Sequence, residues 1–242
     1  AFVSDIEGVK QCEIAGSLRR SAETIGDVDI LAAADKEKAS DIFDAFVNHE
    51  LVVEVLGRGD TKSSVRTETG RQIDLRIVSE QEYPAALMYF TGSKEHNIVM
   101  RQRARDRGMS LNEYGLFKLT DDKETDFDQP VETSSETDIY AKLDLNFVPP
   151  EHREDRGEFE FYAEHESMDL LKDSQIKGVV HAHSTWSDGK YSIKQMADAC
   201  IDRGYEYLTI TDHSKTAAYA GGLSVDEVRQ QWDEIDELNE AY

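Results

Sequence analysis

Two segments of this 242-residue chain alternate in a way that only a strand with one buried face allows. From Arg71 to Val78, Ile73, Leu75 and Ile77 alternate with Gln72, Asp74 and Arg76. From Asp27 onward, Val28, Ile30 and Ala32 alternate with Asp27, Asp29 and Leu31. A period of two puts successive side chains on opposite faces, so each strand sets its apolar row on a core and its carboxylates on the other side. Helical spacing fills the interval: over 36–48, Ile42, Phe43, Phe46 and Val47 share one face. Ile14 leads a short strand into Gly16-Ser17, Leu51–Leu56 is a further strand, and GRGD at 57–60 is a turn. These elements predict a mixed sheet with helices. Two helices follow near 80–90 and 94–107, split by Thr91-Gly92-Ser93, and a hairpin around 111–119 closes the block.

A second pattern starts after a polar connection at 120–175, which carries one short helix near 135–145. It runs strand 176–182, helix 192–203, strand 206–211 and helix 224–241, the order of parallel βα units. The fold class expected is therefore α/β and α+β in one chain. No apolar run is long enough to span a membrane, and no basic start with an apolar core marks a leader. Cys12 and Cys200 lie far apart in apolar contexts, which fits a reducing, cytoplasmic setting.

Charge is uneven. Fifty acids against 27 bases give −23, which argues against a polyanionic partner on the total alone. The acids concentrate in 121–173, where 18 acids meet 5 bases for −13. Between Gly92 and Gly108 the sign reverses: Lys94, Arg101, Arg103, Arg105 and Arg107 against Glu95 and Asp106 give +3. A locally basic helix on an acidic protein remains compatible with a nucleic acid.

The chemistry-bearing residues fall into two constellations. In the first, Asp27 and Asp29 stand on one strand face with Cβ atoms roughly 6–7 Å apart. Bare carboxylates so placed repel, and divalent cations relieve the repulsion. Asp74, on the polar face of another strand, supplies a third carboxylate. Gly16 admits close backbone approach to an anion, Ser17 offers donors, and Arg20 offers a fork for phosphate. In the second, an apolar strand ends in His181-x-His183 with Asp188 following, and another ends in Asp212-His213. Alternate residues at a strand end share a face, so the imidazoles can meet one cation or two adjacent ones.

The segment GSLRRSAETIGDVDIL (16–31) resembles the palm motif of family X DNA polymerases, within the nucleotidyltransferase superfamily. YFTGSKEHN (89–97) resembles that family's thumb segment, and LNEYGLF (111–117) the block after it. The likeness implies a nucleotidyltransferase palm over 1–80 and a small thumb with the acidic connection over 81–150. It implies that Asp27 and Asp29 bind two catalytic Mg²⁺ ions, and that Asp74 binds one of them and accepts the primer hydroxyl's proton. Ser17 and Arg20 would hold the triphosphate of a dNTP, with Gly16 and Gly26 nearby. Tyr89 and Phe90 would meet its sugar, Gly92 the turn, and Asn97 its base. Lys94 and Arg101 would face gapped or primed DNA. VVHAHSTWSDGKYS (179–192) and YLTITDHS (207–214) resemble the PHP domain that bacterial and archaeal members carry C-terminally. That implies His181, His183, Asp188 and His213 as ligands of Zn²⁺ or Mn²⁺, in the first units of an incomplete βα barrel over 176–242, after a linker at 151–175. The function implied is DNA-directed DNA synthesis in gap-filling repair. A PHP-type 3′–5′ exonuclease or abasic-site nuclease is one alternative, and a catalytically weak DNA-binding module is another. The expectation is a fragment: palm, thumb and the opening of a PHP domain.

Overall fold

The computed structural model describes residues 2–165 and 168–242. It divides into two units, Ala1–Met168 and Asp169–Tyr242. In the first, strand β1 (Val9–Ile14) leads through the single-turn helix α1 (Gly16–Arg19) into β2 (Asp27–Ala34). Helix α2 (Ala39–Val47) follows, then β3 (Val52–Arg58), β4 (Lys62–Thr67) and β5 (Gln72–Val78). The strands lie in the order β1-β2-β5-β4-β3, with β2 and β5 parallel and the other pairs antiparallel. This is the mixed sheet expected. Strand β3 extends through Gly57-Arg58, because both residues pair with β4, so the predicted turn begins two residues later.

The apolar row of β2 and β5 is buried as the alternation requires. Ala32, Leu75 and Ile77 pack with Ile42, Phe43 and Phe46 of α2 and with Val65 of β4. The opposite face takes helix α3 (Tyr83–Thr91), where Leu31 and Ala33 meet Ala86 and Leu87. Each buried Leu, Ile, Val or Phe here contributes roughly 1.5–3 kcal/mol, which makes these helices docked elements rather than self-sustaining ones.

Beyond α3, helix α4 (Lys94–Asp106) is capped by the Ser93 hydroxyl, which accepts from the His96 N–H. It packs against β6 (Met109–Asn112) and β7 (Gly115–Leu119). A third strand, β8 (Thr125–Val131), pairs antiparallel with β7, so the predicted hairpin supplies two strands of a three-stranded sheet. Helix α5 (Glu136–Lys142) then buries Ile139 and Tyr140.

The expected linker at 151–175 is largely folded instead. Helix α6 (Glu158–Glu164) puts Phe159 and Tyr162 into the same core as Met88, Met100 and Leu143. The charges of this stretch look solvated in sequence, but Glu158 and the preceding Arg153 are buried and paired. Residues 166 and 167 of that predicted linker lie outside the described residues.

The second unit holds β9 (Gly178–Ala182), α7 (Ile193–Asp202), β10 (Tyr207–Ile210) and α8 (Val225–Ala241). The two strands are parallel, as a βα repeat requires. Helix α8 keeps Val228, Ile235 and Leu238 half-buried. Gln231 is the buried residue and Trp232 is 60% exposed, because Gln231 bonds to Asp212 beneath the helix. Both cysteines are free and half-buried, and no described helix is long and apolar enough to cross a membrane.

Candidate active site

Register builds the carboxylate group. Strands β2 and β5 run parallel with Asp29 opposite Asp74, and Asp27 is two residues along the same face. One oxygen from each of Asp27, Asp29 and Asp74 lies within 4.8 Å of the others. Burial, then the charges of Asp27 and Asp74, push Asp29 above the usual carboxylate range. A site that raises one of its own carboxylates this way is unbalanced without a cation. Gly16 adds a second sign of fit. Its φ is +62°, and a Cβ there would stand 2.1 Å from Asp29 Oδ2, so only glycine leaves that oxygen its place.

Asp74 differs from Asp29. Burial would raise it, but hydrogen bonds from Lys62, Gln72 and Ser64 outweigh that and hold it below its usual range. The Lys62 ammonium pairs with its Oδ2 and the Gln72 amide donates to its Oδ1 at 2.9 Å. Lys62 is absent from the sequence expectation. Its signal was the antiparallel register of β4 on β5, which sets Ser64 opposite Asp74, in a strand too polar to read from hydropathy.

A cleft of about 590 Å³ opens beside Asp27 and Asp29. Of the predicted nucleotide and DNA residues, Gly16, Ser17, Arg20, Tyr89, Phe90, Gly92, Lys94, Asn97 and Arg101 all line it. Gly26 does not line it, and Asp74 lies at its carboxylate end through its pairing with Asp29. Thr91, Ser93, Glu95 and Glu154 complete the wall and were not anticipated.

Several of these side chains are already engaged. Arg20 follows α1 rather than starting a helix; its Nε donates to Glu154 at 2.7 Å and its Nη1 to the Thr91 carbonyl at 2.6 Å. Asn97 donates to the Tyr89 carbonyl at 2.7 Å, so its amide is turned toward the backbone. The Phe90 ring is covered by the Arg76 guanidinium, 4.1 Å from its centroid.

Behind the cleft lies a buried ionic network. Glu136 accepts from Arg19 at 2.7 and 3.0 Å and from Arg153 at 2.6 Å. Burial would raise Glu136, yet the two guanidiniums hold it below its ordinary range. His96 is fully buried. Its Nδ1 lies 2.8 Å from Glu158 and its Nε2 2.7 Å from the Tyr140 hydroxyl. Burial pushes His96 down to about 4, more than Glu158 raises it. The imidazole is thus neutral, donating to the carboxylate and accepting from the phenol.

These features have counterparts in known proteins. Residues 86–154 match the model of the DNA polymerase beta thumb. DNA polymerase/3′-5′ exonuclease PolX of Bacillus subtilis is 42% identical over 230 residues, covering 94% of this chain and 39% of that protein. The chain belongs to the family X DNA polymerases. Rat DNA polymerase lambda is 31% identical to this family X chain over 163 residues, covering 59% of it and 28% of the relative. The ternary gap complex of Leishmania infantum polymerase beta superposes with a TM-score of 0.53 at 25% identity, covering 60% of this chain and 62% of that one. The family X chain thus spans about two fifths of the Bacillus protein's length.

In the second unit the loop after β9 and the loop after β10 bring His183, Asp188 and His213 together, with ligand atoms within 4.8 Å. Asp188 lies 3.4 Å from His183 Nδ1 and 3.6 Å from His213 Nε2. The predicted fourth ligand, His181, stands outside that group, its Nε2 3.0 Å from His183 Nε2. Asp212 turns away from the group. It accepts from the Ser184 N–H and hydroxyl at 2.7 and 2.5 Å, the Ser187 hydroxyl at 2.5 Å and the Gln231 amide at 2.6 Å.

Proposed function

We propose that the first unit is the palm and thumb of a DNA-directed DNA polymerase, adding deoxynucleoside triphosphates to a primer 3′-hydroxyl in gap-filling repair in the cytoplasm. The observation that carries this reading is the cleft itself, which sets Ser17 and Arg20 beside Asp27 and Asp29 with Asp74 adjoining. Asp27, Asp29 and Asp74 would hold two Mg²⁺ ions, which lower the pKa of an attacking hydroxyl and neutralise a leaving pyrophosphate. Ser17 and Arg20 bind the triphosphate through hydroxyl, N–H and guanidinium donors. Tyr89, Phe90 and Gly92 form the wall for the sugar and base, and Asp74, ionised and hydrogen-bonded, is the chain's proton acceptor. Lys94 and Arg101 project from the basic helix α4 toward gapped or primed DNA. Primer extension on a one-nucleotide gap in Mg²⁺ tests this: Asp27→Asn and Asp29→Asn should each lose incorporation by at least 10²-fold. Wild-type rates in both variants would overturn it.

The His183, Asp188 and His213 group favours a second activity for the second unit, a PHP-type phosphoesterase acting as a 3′–5′ exonuclease or abasic-site nuclease. Those three residues, with His181 beside them, fit Zn²⁺ or Mn²⁺, which supplies an activated water. A longer chain carrying His183→Ala should lose 3′-end removal and keep extension; loss of extension alone would refute the assignment.

A further inference from the structure

Arg20 is held by two groups of the chain itself, and the way they divide its donors has a consequence for nucleotide binding. Its Nη1 donates to the Thr91 carbonyl, and its Nε donates to Glu154 Oε1. A guanidinium grips a phosphate or carboxylate best with two neighbouring donors on one edge. The Thr91 carbonyl occupies Nη1, so the edge open to such a grip is Nε with Nη2. Glu154 stands on that edge.

The arrangement is built from several sides. Gly92 presses against the Thr91 side, where a Cβ would come within 3.2 Å of Arg20 Nη1. Arg19, the adjacent guanidinium, is committed to Glu136 and Thr91. Arg20 is therefore the arginine that the GSLRR segment presents to the cleft. Its side chain is 14% exposed, whereas Glu154 is 31% exposed and lines the same cleft as Ser17 and Asp27. A ligand entering there meets the Glu154 carboxylate on the fork that a phosphate needs, and Glu154 has solvent to retreat into.

We infer that Glu154 is an internal counter-anion of the triphosphate subsite, and that it sets nucleotide affinity by competing for Arg20. The inference rests on the placement of the triphosphate at Ser17 and Arg20 proposed above. Without nucleotide, Glu154 keeps the fork aligned toward the cleft. Nucleotide binding is then an exchange of one anionic acceptor for another, and affinity reflects the difference between the two pairs. A ligand with several negative charges wins that exchange, and one with few does not.

Calorimetric titration of the chain with Mg²⁺–dATP, and separately with tripolyphosphate, tests the exchange in the absence of DNA. Wild type is compared with Glu154→Gln, Glu154→Ala, Arg20→Ala and the Glu154→Gln/Arg20→Ala double variant, with thermal melts on each. Removing one carboxylate from a partly exposed, screened site should tighten both ligands about three- to tenfold in each Glu154 variant. Arg20→Ala should weaken them about tenfold or more, and the double variant should bind no tighter than Arg20→Ala. If Arg20→Ala loses affinity while both Glu154 variants bind as wild type or more weakly, Glu154 is not a competitor and the inference is overturned. If Arg20→Ala binds as tightly as wild type, the triphosphate does not sit at Arg20, and the proposed placement falls together with the inference.

Discussion

Replacing Glu136 by Gln removes one negative charge from between the buried Arg153 guanidinium and the half-buried Arg19 guanidinium. Glu136 is 8% exposed, Arg153 is fully buried, and three hydrogen bonds of 2.6–3.0 Å join the carboxylate to Arg19 and Arg153. Gln keeps the volume and one acceptor. Its amide, however, must aim N–H at one of the arginine nitrogens now bonded to a carboxylate oxygen, a donor facing a donor. Breaking a buried pair by deleting one partner costs about 3–5 kcal/mol, because the surviving charge stays buried and unbalanced. Arg153 cannot leave: its Nε is tied to the Val148 carbonyl at 2.9 Å, and its guanidinium lies over the rings of Tyr140 and Phe147. For a unit of this size the loss corresponds to a fall in Tm of about 10 °C. Both tryptophans, Trp186 and Trp232, lie in the second unit, so their fluorescence separates its unfolding from that of the first unit followed by far-UV CD. Proton linkage gives a further signature. The folded-state pKa of Glu136 is depressed, so its contribution is present above the ordinary carboxylate range and fades as pH falls through the folded value. The deficit of Glu136→Gln should be full at pH 7 and shrink in acid. A deficit below about 1 kcal/mol at pH 7, or one that does not change with acidification, refutes this account of the network.

His96 adds a second acid sensitivity of the same sign. Its folded-state pKa of about 4 lies below the unfolded value near 6.5, so the unfolded chain takes up the extra proton and stability rises with pH between those limits. Denaturant titrations should show the first unit losing up to about 3 kcal/mol from pH 6.5 to 4, and His96→Gln should flatten that slope; an unchanged slope in the variant would sink the assignment. Asp212→Asn should loosen the second unit by about 2–4 kcal/mol, since four hydrogen bonds to one carboxylate tie the β9 loop, the β10 loop and α8 together. The same variant should weaken Mn²⁺ binding in titration without removing it, because Asp212 positions the loops that carry His183 and His213; complete loss would make it a ligand.

The carboxylate cluster was legible because a strand's period fixes which face Asp27, Asp29 and Asp74 share, and parallel pairing of two apolar-rich strands then aligns Asp29 with Asp74. The segment 89–97 was legible through its resemblance to the family X thumb, and all of it but the buried His96 lines the cleft. What stayed hidden has one physical origin. Hydropathy treats a charge as solvent-facing, so Glu136, Arg153, Glu158 and the strand KSSVRT passed for surface. Burial of these charges depends on partners far along the chain, such as Arg19 for Glu136, 117 residues away, and His96 for Glu158, 62 residues away. No local window contains both halves of such a pair. Strand β4 shows the same limit, because it buries Ser63 along with Val65 and so lacks a readable apolar row.

Exposure separates two kinds of ion pair in the first unit, and the division follows the cleft. Arg153 and Glu136 are both walled in, as are Glu158 and the neutral His96 that donates to it, so parting either set strands a charge in the interior. Arg20–Glu154 and Asp74–Lys62 each join a buried functional group to a partner with an exit: Glu154 is 31% and Lys62 40% exposed. Parting these releases the mobile partner into water, and the cost is modest only when an incoming ligand pairs the buried group in its place. Lys62 must leave Asp74 before that carboxylate serves another cation, as Glu154 must leave Arg20 before that fork serves another anion. The buried network therefore fixes the walls, and the exchangeable pairs keep the cleft's charges aligned until ligands replace them. An acidic chain can receive a polyanion on these terms, because the acid nearest the anion site is one of the groups that withdraws.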